Sequence, residues 1–147
     1  MFKHILIPTD GSPRSRKAAK AAIAFAKAVG AKVTAYHALE LIPPYLGGEA
    51  ALMDATVIEM VEQTARKQAQ KSVGQIAKAA EAAGVACATS INRPVTAYQG
   101  IVAAAKRNKC DAIFIASHGR GGVASALLGS VTQRVLAHSK IPVLVYR

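Results

Sequence analysis

The sequence predicts an α/β protein in which a mostly parallel sheet carries helices on both faces. Five short apolar segments alternate with four segments of helical periodicity, the pattern of a parallel sheet wound by right-handed crossovers. Hydrophobic residues make up 52% of the chain and aromatic residues only 5%, so we expect a core of Ala, Val, Ile and Leu. Because the 147 residues contain no repeat or linker, we expect a single domain over residues 1–147.

The first three elements are bounded by local sequence features. An apolar strand is expected over Phe2–Pro8. Ser12 followed by Pro13 is typical of a helix N-cap and first helical position, and Gly30 is typical of a left-handed C-cap. A second strand is expected over Lys32–Ala38, where β-branched and aromatic residues recur.

The remaining elements follow a loop over 39–53. Its apolar residues pack on the domain, cover a ligand or form a subunit contact: Leu41, Ile42, Tyr45 and Leu46. A long helix is predicted from Asp54 to Ala83, with one inward stripe formed by Val57, Met60, Val61, Thr64, Ala65, Val73, Ile76, Ala77 and Ala80. After it we expect strand Val85–Ile91, helix Ala97–Asn108, strand Ala112–Ile115, helix Ser130–His138 and strand Ile141–Tyr146.

The net charge of +11 arises from 19 basic and 8 acidic residues. Much of it recurs at helical spacing, as expected for solvated helix faces, at Arg16, Lys20, Lys27, Lys67, Lys71 and Lys78. The aromatic residues form no stacking platform, so no specific nucleic acid partner is expected. No apolar run is long enough to cross a membrane, and we expect a cytoplasmic protein without membrane contact.

The sequence indicates no catalytic or metal centre. Cys87 and Cys110 lie far apart and are expected to be buried thiols. The four histidines lack metal-ligand spacing, and His37 is expected to be a hydrogen-bonded interior group. Ser117 and His118 are adjacent, a spacing at which a nucleophile and its base rarely pair.

A glycine-rich stretch follows the fourth strand and leads into a helix, running over 116–132. Glycine allows close backbone approach, and a helix N-terminus attracts anions. No Asp or Glu occurs after Asp111, so this stretch predicts a phosphate cradle. It contains no Walker A motif, and the GxGxxA match over Gly119–Ala124 lacks the acidic residue that NAD binding requires.

Asp10 is the only acidic residue among the first 39 and ends the first strand. The carboxyl ends of parallel strands share one edge of the sheet, so we expect Thr9 and Asp10 to face the glycine-rich stretch across a crevice. Asp10 either accepts a local hydrogen bond ahead of Ser12 or contacts a ribose, a base amino group or a cation. Ser130 is expected to be an N-cap whose hydroxyl also meets a phosphate.

The chain resembles the universal stress protein family over its full length. The matching segments are Ile5–Ser12, His37–Ala38, Ser117–Gly122, Leu128–Val131 and Ile141–Val145. The resemblance implies a Rossmann-like fold, similar to the adenine nucleotide alpha hydrolases, with an open five-stranded parallel sheet in the order 3-2-1-4-5.

The ATP-binding branch of that family carries the motif G-x2-G-x9-G-[S/T]. Gly119 and Gly129-Ser130 fit it, whereas Ala116 stands at the first glycine, where a methyl group would narrow the approach to a ligand. By position, the resemblance implies nucleotide contacts at Pro8, Thr9, Asp10, Ala38, Ala116, Ser117, His118, Gly119, Arg120, Gly121, Gly129, Ser130, Val131 and Thr132.

The resemblance further implies ATP, ADP or AMP as ligand, with Mg²⁺ or Mn²⁺ held through the phosphates and Asp10 or Ser130 as candidate metal contacts. It also implies a homodimer through Val143, Leu144 and Val145 of the last strand, an apolar edge that is otherwise unpaired. The expected function is that of a stress-response sensor with little or no turnover. The alternatives are a dimeric interaction module that binds no nucleotide and a slow ATPase.

Overall fold

The computed structural model describes residues 1–40, 52, 54–121 and 127–147. Within this part of the chain, five parallel strands form one sheet in the order β3-β2-β1-β4-β5. The strands are β1 (His4–Pro8), β2 (Lys32–Ala38), β3 (Cys87–Asn92), β4 (Ala112–Ala116) and β5 (Val143–Tyr146). The helices are α1 (Pro13–Val29), α2 (Ala55–Ala82), α3 (Ala97–Arg107) and α4 (Ser130–His138).

The predicted α/β class and strand order are confirmed by this topology. Two features of the sequence fall outside the described residues. These are the apolar part of the loop, with Leu41, Ile42, Tyr45 and Leu46, and residues 122–126 of the glycine-rich stretch.

Both faces of the sheet are covered, which explains why the strand sequences are continuously apolar. Ile5 and Ile7 of β1 pack in the core cluster on the side of α1 and α2. Leu6, between them, packs in the cluster on the side of α3 and α4. Successive side chains of a strand point to opposite faces, so β1 supplies residues to two cores.

Helix α1 begins and ends where the sequence predicts. The Ser12 side chain accepts a hydrogen bond from the Ser15 N–H at 3.1 Å, and Pro13 is the first helical residue. Gly30 has φ +71° and donates its N–H to the carbonyls of Ala26 and Lys27. These caps satisfy backbone groups that a helix end otherwise leaves unpaired.

Helix α2 does not bury the whole stripe that the sequence predicts. Its buried residues lie in the second half, from Ala69 to Ala80, whereas Val57 is 40% and Met60 67% exposed. The reason is length: 28 residues span about 42 Å at about 1.5 Å per residue. Strands of five to seven residues reach only about 17–23 Å, so the helix extends beyond the sheet.

Three strands begin later than predicted because nearby backbone groups are engaged elsewhere. The N–H groups of Lys3 and His4 donate to the Asp111 carboxylate. The Val85 N–H donates to the Ala80 carbonyl at the end of α2, at 2.8 Å. Ile141 is held in a turn by the Ser139 hydroxyl.

The surface prediction agrees with the structure, and the prediction of buried thiols holds for Cys110 but not for Cys87. All six basic residues singled out on the helices are exposed. Cys87 is half-buried, Cys110 is buried and both are free. Burial raises the pKa of the Cys110 thiol to about 11. Among the described residues, no helix combines the length and apolarity needed to cross a membrane.

Candidate functional site

A cavity of about 580 Å³ opens at the carboxyl ends of β1, β2 and β4. The strand order reverses direction between β1 and β4, and open α/β sheets hold ligands at this switch point. All of the predicted site residues line the cavity except Ser117. Sequence reasoning missed several others, which come from neighbouring helices and share no motif: Ser15, Ala65, Gln68, Ala97 and Ile101.

The first wall is the β1 loop, residues Thr9–Ser12. The Thr9 N–H donates to the Tyr36 carbonyl at 2.8 Å, which ties the loop to β2. The Thr9 hydroxyl accepts the Gly11 N–H at 3.1 Å and hydrogen-bonds with the Ser15 hydroxyl at 3.0 Å. Gly11 has φ +77°, where side chains are disfavoured. The loop is therefore shaped mainly by bonds among its own residues and the first turn of α1.

The Asp10 carboxylate joins this loop to the second wall. Its Oδ1 accepts the Ser12 N–H at 2.9 Å, and its Oδ2 accepts the Arg120 N–H at 2.8 Å. Burial alone would raise the pKa of this carboxyl, but the hydrogen bonds, foremost those from Ser12, outweigh it and lower the pKa below its ordinary value. An ionised carboxylate therefore holds the two walls together, and its remaining lone pairs can still accept hydroxyl groups.

The second wall is the β4 loop, whose described parts are Ser117–Gly121 and Leu127–Gly129. Its connections run to distant parts of the chain. The Ser117 N–H donates to the Tyr146 carbonyl of β5, and the Gly129 N–H donates to the Ser117 carbonyl, both at 2.7 Å. The Thr132 hydroxyl donates to the Ala116 carbonyl at 2.9 Å. This wall is therefore shaped by tertiary contacts.

Two glycines of the β4 loop lie where a side chain would crowd other protein groups. A Cβ on Gly119 would lie 2.5 Å from Asp10 Oδ2, and one on Gly129 would lie 3.2 Å from the Ser117 carbonyl oxygen. Neither glycine has a positive φ. The loop therefore needs glycine here because other protein groups approach its backbone closely.

Helix α4 directs its N-terminus into the cavity. Its N-cap is Gly129, which offers no side-chain hydrogen bond, so the prediction that Ser130 is the N-cap was wrong. Ser130 is the first helical residue and is exposed. The N–H groups of Ser130, Val131 and Thr132 have no intrahelical acceptor, and all three residues line the cavity. This arrangement is a ready anion site.

Two buried histidines also line the cavity. His37 Nδ1 has no hydrogen-bond partner among the described residues, so His37 is interior as predicted but not hydrogen-bonded through this atom. Burial and the positive charge of Arg120 lower the pKa of His37, while Asp10 opposes the shift. The imidazole is therefore neutral at physiological pH.

His118 Nδ1 lies 3.1 Å from the Ser117 hydroxyl, so these adjacent side chains do pair, contrary to the prediction. The two residues directly follow β4, where the chain turns into the loop, and both are buried. His118 Nε2 has no partner among the described residues, hence no acid orients the imidazole. Nor do the described residues contain a group of three His, Cys, Asp or Glu that could hold a metal.

The fold and this crevice define the chain as a doubly wound α/β protein with a cavity at the switch point of its sheet. The universal stress protein family model matches residues 1–147. A universal stress protein of Methanocaldococcus jannaschii is 35% identical over all of this chain and 83% of its own length. One from Thermus aquaticus is 33% identical over the full length of both. The chain belongs to the universal stress protein family.

Solved structures agree with this assignment. A protein described as hypothetical, whose biochemical function was assigned from its structure, superimposes with a TM-score of 0.77 at 27% identity, covering 99% of this chain and 95% of that one. A universal stress protein in complex with cAMP gives 0.69 at 22%, covering 99% and 97%. One from Archaeoglobus fulgidus in complex with dAMP gives 0.65 at 18%, covering 100% and 98%. These last two likenesses concern the fold.

Proposed function

We propose that the crevice binds ATP or a related adenine nucleotide, ADP or AMP. The observation that carries the proposal is the N-terminus of α4, which opens without a side-chain cap into a cavity of about 580 Å³. Ligand cavities are typically about 300–1,000 Å³. The free N–H groups of Ser130, Val131 and Thr132 and the positive end of the helix dipole favour phosphate oxygens there.

The remaining walls suit the other parts of a nucleotide. The phosphate site extends along His118–Gly121, which line the cavity, and Arg120 adds a positive charge on the same side. Asp10, already ionised, accepts ribose hydroxyls through its remaining lone pairs. Pro8, Thr9 and Ala38 line the other part of the cavity, where the base would lie.

Relatives of the same fold are known with adenine nucleotides, one with cAMP and one with dAMP. Both ligands contain adenine, a pentose and one phosphate, which supports the same chemical class for this crevice. Mg²⁺ or Mn²⁺ would enter with the phosphates and take few protein ligands, for which Asp10 and Ser130 are the candidates.

We also propose that this protein acts as a stress-response switch with little turnover. The described residues provide no acid to orient His118, so no residue is set up as an efficient general base. A homodimer through β5 is part of the same proposal, because Val143, Leu144 and Val145 are only half-buried on a strand that pairs with β4 alone among the described strands. The cytoplasmic location stays a prediction.

Calorimetric titration with ATP, ADP and AMP, with and without Mg²⁺, tests the binding proposal. We expect saturable heat, and thermal stabilisation of about 2.7 kcal/mol at a nucleotide concentration of about 100 times Kd. No heat and no stabilisation at millimolar ATP would refute it and favour an interaction module that binds no nucleotide.

The variant Gly129→Glu locates the site. Its carboxylate would stand at the N-terminus of α4, where the phosphates are placed, so we expect at least about a hundredfold loss of ATP affinity. The matched control is Gly74→Glu, on α2, where a Cβ meets nothing within 4 Å and no cavity residue is changed. Normal ATP binding by folded Gly129→Glu protein would show that the nucleotide lies elsewhere.

A further inference from the structure

A second cavity, of about 630 Å³, runs between α1 and α2 on the outside of the domain. Its floor is apolar, with Ile23 and Ile76 at its base. On the α2 side the lining is uncharged and consists of Ser72, Gln75, Ile76, Ala79, Ala82 and Ala83. We call this feature the α1–α2 groove. It lies on the opposite face of the sheet from α3 and α4, and of the proposed nucleotide contacts only Thr9 also lines it.

The α1 side of the groove is strongly basic. Arg16, Lys20 and Lys27 line it, and α1 contains no acidic residue. The one ion pair found among the described residues joins Arg93 and Glu62, so these three cations have no carboxylate partner. Arg16 makes one polar contact, donating to the Gly11 carbonyl at 2.6 Å. The nearest acid along α2 is Glu81, which is exposed and does not line the groove.

The spacing of these cations indicates which kind of ligand the α1–α2 groove could bind. Positions 16, 20, 23 and 27 form one stripe of α1, and from Arg16 to Lys27 the stripe covers about 16 Å at about 1.5 Å per residue. A fatty acid carries one negative charge and would pair with a cation at only one end of the stripe. A lipid bilayer is flat and would not reach a recessed floor. A nucleic acid backbone supplies charges but little apolar surface.

We propose that the α1–α2 groove binds an acidic amphipathic helix of a partner protein. The apolar face of that helix packs on the exposed alanines Ala24, Ala79 and Ala82, which lie over the buried Ile23 and Ile76 and allow a close approach. Its acidic flank lies along Arg16, Lys20 and Lys27. This mode of recognition, a helix in an apolar groove with charges at the rim, is common in peptide-binding proteins, and the charges set orientation and specificity.

The test uses a designed fluorescent peptide of about 15 residues, or about 22 Å as a helix, with Leu on one face and Glu along one flank. Binding to the wild-type protein is measured by fluorescence anisotropy without nucleotide. We expect saturable binding at low salt that weakens as salt is raised. A scrambled peptide of the same composition should bind at least about tenfold more weakly, because it keeps the charge and loses the apolar face.

The protein variants separate the groove from general charge. Lys20→Glu and Lys27→Glu should each weaken binding about fivefold or more, and Lys20→Gln should weaken it less. Lys17→Glu is the matched control, because Lys17 is exposed on the same helix but does not line the groove. All three substituted positions are exposed, and thermal unfolding checks that each of the four variants is folded.

Three outcomes overturn the proposal. The first is that the scrambled peptide binds as tightly as the designed one, and the second is that Lys17→Glu loses as much peptide affinity as Lys20→Glu. The third is that phosphatidylglycerol vesicles or a single-stranded oligonucleotide bind more tightly than the peptide and lose the same affinity in Lys20→Glu. Nucleotide titration of these variants keeps the two proposals distinguishable. ATP binding should be unchanged in Lys20→Glu whether or not the peptide binds.

Discussion

The two walls of the crevice are built in different ways. The β1 loop is shaped by its own residues: Thr9 bonds to Gly11 and Ser15, and Asp10 bonds to Ser12. The β4 loop depends on contacts far away in the chain, with Tyr146 of β5 and with Asp10 across the crevice. Asp10 is common to both walls, since one oxygen serves each.

This difference between the walls suggests which substitutions disturb the candidate site most. The hydrogen bonds of the β1 loop form together with the loop and the first turn of α1. The shape of this loop should therefore change little when the other wall is altered. The β4 loop takes its place only when β4, β5 and Asp10 are assembled. Substitutions that act on the junction between the walls should therefore affect the phosphate site more than changes of similar size elsewhere.

The largest effect is expected for Asp10→Asn. An amide can present an oxygen to only one of the two N–H groups, which leaves the other donor facing an NH2 group, at a cost of about 2 kcal/mol in unfolding free energy. ATP affinity should fall as well, since the β4 loop loses its tie. Chemical denaturation and calorimetry measure the two effects.

Asp111→Asn is the control for that change. Asp111 likewise accepts two backbone N–H groups, at 2.8 and 3.1 Å, at the opposite end of β1. It should lower stability by a similar or smaller amount and leave ATP affinity unchanged. If both variants lose nucleotide affinity equally, the junction at Asp10 has no special role.

A somewhat smaller effect is expected for Gly119→Ala. The added Cβ would lie 2.5 Å from Asp10 Oδ2, so the carboxylate or the loop must move, at about 1–2 kcal/mol. Gly121→Ala is the control, because a Cβ there meets no atom of the described residues within 4 Å. Thermal unfolding should separate the two variants by several degrees. Equal melting temperatures would contradict the close approach of the two walls.

Lowering the pH should reduce the free energy of unfolding through His37, whose pKa is affected by Asp10 of the first wall and Arg120 of the second. Its pKa is lowered by burial and by Arg120, so below about pH 6.5 the unfolded chain binds a proton that the folded chain resists. Stability is therefore full above that pH and falls as the pH drops. His37→Gln should therefore remove part of this pH dependence. His4, whose pKa burial also lowers, supplies a remainder.

The smallest effect is expected for Ala116→Gly, which restores the first glycine of the ATP-binding motif. Removing the methyl group from the end of β4 should raise ATP affinity a few-fold if it limits the approach of the ligand. Stability should fall by about 0.5–1 kcal/mol, because glycine loses more backbone entropy in a strand. Calorimetry decides: unchanged or weaker binding would show that the methyl group does not obstruct the site.

The sequence was most informative where a local rule decides the structure. Strand β2 and helix α4 have the predicted bounds, and α1 has its predicted caps. It was less informative where a bond forms between distant residues. Nothing near Ser130 in the sequence shows that Gly129 takes the cap position while donating to Ser117. The inward stripe of α2 was predicted too long because periodicity does not show where the sheet ends.

The sequence by itself determined the alternating elements, the strand ends that carry Thr9–Asp10 and the glycine-rich stretch, and the basic stripe of α1, since these follow from short-range spacing and composition. Only the tertiary structure decided that Asp10 accepts the Arg120 N–H, that Gly119 is needed to make room for it, and that α1 and α2 leave a groove between them. The physical reason is that these features depend on distances between residues far apart in the chain, which packing of the whole sheet sets.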